Sequence, residues 1–158
     1  MAGGNPLAVW VLINDGVNDG QLDTGFDLDG EYLYAPLAGV EGHAVETLYD
    51  GSHERFYVAG VQAGIGTVIL EIIDDDPPNA PTVNATVDLN ANEGARGVHI
   101  LDDGDPLFAG GRSLVVRSIY SWLYSDIASP FTYVPAVAPP ELAVWGLHVD
   151  CHERAIFT

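Results

Sequence analysis

The chain has 158 residues, 47% of them hydrophobic, and sets 23 Asp and Glu against five Arg and no Lys for a net charge of −18. That length suits one domain with its own core, and that apolar share excludes disorder of the whole chain. The Arg, dispersed at positions 55, 96, 112, 117 and 154, form no basic stripe to neutralise nucleic-acid phosphates, and the lone Cys151 excludes an intrachain disulfide framework.

Residues 1–5 read as a tail, and residues 6–158 as a single β-domain. Leu7–Ile13 (LAVWVLI) is expected to be a strand buried on both faces, too short to span a bilayer. No basic segment precedes it, so no export signal is read. From Asn14 to Gly30 the chain repeats Asn-Asp-Gly at a four-residue step, which predicts consecutive Asx-turns. A calcium loop competes for the same stretch. With Gly30 as its sixth residue, however, Gly25 and Pro36 would occupy the two end-ligand positions, and neither offers a carboxylate.

Glu31–Leu37 and His43–Asp50 are read as strands, the second closed by the hairpin signal Asp50-Gly51-Ser52. The densest apolar stretch, His53–Ile73, splits at Gln62–Gly66 into two arms and predicts a central hairpin. In its second arm Val68, Leu70 and Ile72 alternate with Thr67 and Glu71, while Ile69 and Ile73 add apolar area to the other face. Asp74–Pro78 ends that arm, because proline cannot donate to a ladder and like charges repel.

Thr82–Leu89 alternates cleanly, and Gly97–Leu101 follows as a short strand before the acidic loop Asp102–Pro106. Ser113–Ser125 carries both a helical stripe and the β-branched and aromatic content of a strand, and is read as a strand. Phe131–Val137 and a long Leu142–Cys151 follow as strands, and Arg154–Thr158 reads as a last short strand or a tail. The spacing predicts an all-β fold, a single jelly roll or β-sandwich of about eight to ten antiparallel strands.

Chemistry is harder to find. On one long strand His148, Asp150 and His152 would share a face, offering the ligand types of a facial-triad metal site. The two His would then stand about 13 Å apart, too far for one ion, so an exposed polar face is the preferred reading. His43, His53 and His99 could join them only if the fold converges. No Gly-x-Ser-x-Gly elbow surrounds Ser113, Ser118, Ser121, Ser125 or Ser129. Cys151 and His152, as strand neighbours, would point to opposite faces, and Cys151 is expected as a small buried hydrophobe. No catalytic residue, cofactor or metal site is expected.

In dilute buffer the acidic shell repels itself, whereas at about 1 M salt the Debye length falls to about 3 Å and the repulsion is screened. The composition is therefore halophilic in type. A lysine-free, strongly acidic, single-domain β-chain of this size resembles the small capsid proteins of tailless icosahedral haloarchaeal viruses that enclose an internal membrane. The resemblance implies a single jelly-roll virion protein, and the short chain points to the vertex (penton) rather than the major capsid role. Its expected partners are four further copies in a homopentamer, neighbouring major capsid proteins and spike proteins at the vertex. Membrane contact is at most indirect, and the expected location is the virion after synthesis in the host cytoplasm. Two other classes stay open: a carbohydrate- or calcium-binding β-sandwich of a halophile, and a cupin-like metalloenzyme using His148, Asp150 and His152.

Thermal melts test the charge argument. The midpoint is expected to rise between about 0.1 M and about 3 M NaCl as screening sets in, and equal midpoints would contradict it.

Overall fold

Gly66–Ile73 is buried along nearly its whole length, because it lies inside a sheet covered on both faces. In the computed structural model the described residues are 7–12, 15–26, 30–34, 39–62, 66–74, 81–87, 94–110, 119–126, 131–133, 147–152 and 154–157. Among them β3 (Val40–Tyr49), β4 (Glu54–Gln62), β5 (Gly66–Ile73) and β6 (Thr82–Val87) form an antiparallel sheet in that order. β4 and β5 are the expected central hairpin, paired from Arg55↔Ile73 to Gln62↔Gly66. The predicted alternation holds, with both sides covered: Val68, Leu70 and Ile72 face one core, and Ile69 faces the other.

The first core is closed by β1 (Leu7–Trp10) and β2 (Glu31–Tyr34), an antiparallel pair. Leu7, Val9, Val11 and Tyr32 pack over Val40, Phe56, Val58, Val68, Leu70 and Ile72. This corrects the expectation that the first strand is buried on both faces. Its layer is outermost, so Trp10 and Leu12 on the reverse side are 59% and 57% exposed. The loop between β1 and β2 plants Phe26 in the same core, with its ring 5.1 Å from that of Phe56. Consecutive turns shape the described part of that loop. Asp15 Oδ1 accepts the backbone N–H groups of Val17 and Asn18, Asp23 Oδ1 accepts that of Gly25, and Gly16 and Gly20 take positive φ.

The second core is closed by β7 (Ala95–Ile100), β8 (Pro106–Gly110), β9 (Ile119–Leu123) and β10 (Phe131–Tyr133), in sheet order β10-β9-β8-β7. Ala95, Val98 and Phe108 meet Tyr57, Ala59 and Ile69 across the interface. The strand read over Ser113–Ser125 is described only at Ile119–Leu123, which runs into a 3₁₀ turn, Tyr124–Asp126. β11 (Leu147–Val149) and β12 (Ala155–Phe157) form a small hairpin beside β7. Gly97 permits that approach, since a Cβ there would lie 2.6 Å from Leu147 Cβ.

The all-β sandwich expected from the sequence is therefore what the chain forms, with twelve strands among the described residues. Both four-stranded sheets are meanders of consecutive strands. The order that defines a jelly roll, with strands alternating between sheets as the chain advances, is not found within them. The readings of residues 1–5 and of Phe131–Val137 beyond Tyr133 lie outside the described residues, as does Leu142–Gly146.

Phe26 is nearly inaccessible, whereas Val17 and Leu22 of the same loop are 84% and 43% exposed. Phe26→Ala is expected to lower unfolding free energy by about 3–5 kcal/mol, read from denaturant curves. A loss below about 1 kcal/mol would show that the loop is not anchored there.

Candidate functional site

A carboxylate in the middle of an apolar strand must be neutralised or fully bonded, and Glu71 on β5 is 5% exposed. Its Oε1 accepts from Arg55 Nη1 at 2.6 Å and from the Tyr57 hydroxyl at 3.1 Å. Its Oε2 accepts from Asn84 Nδ2 at 2.8 Å and from the Tyr124 hydroxyl at 2.9 Å. Arg55 and Tyr57 come from β4, Asn84 from β6 and Tyr124 from the 3₁₀ turn of the other sheet. Burial pushes the Glu71 carboxyl up, but the bonds from Asn84, Arg55, Tyr124 and Tyr57 together hold it below its ordinary value. Burial next to this carboxylate pushes the Tyr57 hydroxyl up to about 12 and raises Tyr124 as well. With two donors on each oxygen, Glu71 has no lone pair left for a metal or a substrate proton. Its role is to tie four elements together.

Arg55 extends the network to the β3–β4 turn, where its Nε donates to Asp50 Oδ2 at 2.7 Å. Asp50 Oδ1 accepts the N–H groups of Ser52 and His53, and these bonds hold the carboxyl far below its usual range. The β11–β12 turn repeats the device. Asp150 Oδ1 accepts from the N–H groups of His152 and Arg154, and Oδ2 accepts from Arg154 Nε at 2.7 Å. The sequence carries the signal for both, as His-Glu-Arg occurs at 53–55 and again at 152–154.

That second turn separates the His148, Asp150 and His152 grouping. The strand ends at Val149, so His148 stays on β11 while Asp150 and His152 enter the turn, with Asp150 engaged by Arg154. Cys151 sits exposed in the same turn, which corrects its expected burial. His43 lies on β3 and His99 on β7, 3.5 Å from Glu46 Oε1, while His53 follows the β3–β4 turn. Among the described residues no three His, Cys, Asp or Glu side chains converge on one point. Ser125 is bound to Asp105 through its N–H and hydroxyl, Ser121 lies in β9, and Ser113, Ser118 and Ser129 are outside the described residues. In the Asn-Asp-Gly loop, Asp15 is engaged by backbone N–H groups and by the Asn18 side chain, and Asp19 Oδ1 accepts from Gly16.

A concavity among the described residues lies elsewhere, between β1 and the start of β3. It is a groove of about 340 Å³ walled by Leu7–Trp10 and floored by Gly42, His43, Ala44, Val45 and Val58. The β3–β4 register shifts between Gly42 and Ala44, a bulge at the position of His43, which lines the groove. Arg96 Nη1 approaches His43 Nε2 at 3.4 Å, and since a guanidinium only donates, that nitrogen accepts. Partial burial, then Arg96, push the imidazole below its ordinary value. Nothing in the residue pattern at 42–44 announces this bulge.

Compared with protein-family models, with curated proteins and with solved structures, the chain matches none.

Glu71→Gln weakens the bonds that the carboxylate accepts while Arg55 keeps Asp50, and is expected to cost about 1.5–3 kcal/mol. The folded carboxyl titrates below its ordinary 4.5. Its contribution is thus complete above that value and disappears as pH falls through the lower folded one. The stability difference between native chain and E71Q should therefore shrink as pH falls below about 4.5, and a difference independent of pH would contradict the assignment.

Proposed function

We propose that the chain is a non-catalytic building block of a salt-adapted assembly, and specifically the vertex protein of an icosahedral virus shell in a halophilic host. The observation that carries this reading is a lysine-free composition of net charge −18 on a β-sandwich whose buried carboxylate is wholly engaged in structure. A vertex protein must match a five-fold axis, so the reading implies a homopentamer with head-to-tail contacts that close into a ring. Neighbouring shell proteins and spikes would be its other partners, and the virion its location. The meander order of the sheets supports a general sandwich building block more than a jelly roll. A second reading, a binding module, is favoured by the groove between β1 and β3.

Carboxylates facing one another across ring contacts repel when salt is withdrawn. Sedimentation velocity in about 3 M NaCl is expected to show a pentamer that dissociates, on dilution of salt, before the monomer unfolds. A monomer at all salt concentrations, with or without neighbouring shell proteins, would remove the vertex reading and leave the binding module.

A further inference from the structure

The groove between β1 and β3 departs in charge from the chain around it. No Asp or Glu is among its lining residues, although the chain carries 23. Its lining holds one ionisable side chain, His43, and Arg96 Nη1 on β7 stands 3.4 Å from the imidazole Nε2. Of the two charges that act on that ring, Arg96 outweighs Glu41, so the local field is positive in spite of the net −18. Because Nε2 accepts from the guanidinium, the neutral ring carries its proton on Nδ1 and is a donor there. The rest of the lining is apolar, and β1 runs along it for four residues, about 10 Å at the rise of a strand. The volume of about 340 Å³ is of the size that takes a small ligand.

A cationic ligand would meet no carboxylate in this lining and would lie beside Arg96. We propose that the groove binds a small aliphatic carboxylate. The tail lies along β1 over Val45 and Val58, and covers Val45, which is 54% exposed. The head group accepts the N–H of His43 and pairs with Arg96. Burial of the tail supplies the affinity, and the two donors select the charge. The inference stands apart from the vertex reading and gives the binding-module reading a ligand class. Octanoate binding by a pentamer would leave both intact, whereas a pentamer that ignores octanoate would overturn this inference alone.

Calorimetry on the full chain with octanoate, octylamine and octanol, at the lowest salt that keeps the chain folded, tests it. Octanoate is expected to bind at least tenfold more tightly than either analogue, against the pull of the net charge, which favours the amine. Arg96→Gln and His43→Gln should each weaken octanoate at least fivefold and leave octanol unchanged, and Arg96→Lys should retain most of the binding. Val45→Asp, at an exposed position of the lining, should weaken octanoate at least tenfold and serves if Arg96→Gln misfolds. Val17→Asp, away from the groove, makes the same charge change and should alter binding less than twofold. Tighter binding of octylamine than of octanoate would overturn the proposal in favour of plain charge attraction. Equal binding of octanoate and octanol would overturn it by reducing the groove to an apolar cleft. So would equal losses in V45D and V17D, or no binding of octanoate at all.

Discussion

The bonds that converge on Glu71 are the constraint around which the two cores are arranged. A bare carboxylate in that position would cost several kcal/mol, and it is tolerated because four donors reach it. Those donors must arrive from β4, β6 and the 3₁₀ turn at fixed distances, so the carboxylate sets where Tyr124 sits. Tyr124 in turn packs edge-on against Tyr57 at 5.3 Å and against Phe108 at 6.4 Å. Apolar packing between the sheets would tolerate some sliding, whereas these hydrogen bonds do not. In this network the Tyr124 bond crosses between the layers and fixes the place of the 3₁₀ turn over β5.

Part of the acidity is also structural. Asp15, Asp23, Asp50, Asp103 and Asp150 each accept backbone N–H groups within their own turns. Such turns use Asp because its short carboxylate reaches the backbone two residues on. At Asp15, Asp50 and Asp150 these bonds hold the carboxyl below its ordinary value, so carboxylates that shape the turns also carry part of the net charge of −18.

Much of this fold could be read from the residues because it is local. The β4–β5 hairpin follows from period-two alternation and a glycine-rich turn, and the β3–β4 hairpin from Asp-Gly-Ser. β8 was not anticipated. Pro106 and Gly110 bracket a five-residue segment that is a strand only because Phe108 is buried between layers, which is a tertiary matter. The hub was half legible, since a Glu within VILEII demands a partner. Its donors lie as many as 53 residues away in sequence, and no spacing rule links Tyr124 to Glu71. The His148–His152 reading failed at one point: Asp150 and Arg154 close a turn where a continuous strand was assumed.

The function proposed here joins a rigid sandwich to a strongly acidic surface. A doubly covered sheet pinned by Glu71 supplies a stiff body, and a shell of carboxylates keeps that body dispersed when salt would otherwise promote apolar association. Electron microscopy of the purified chain in molar salt tests this most directly. The account predicts closed rings with five-fold symmetry, and a field of single uniform particles of about 17 kDa would contradict it.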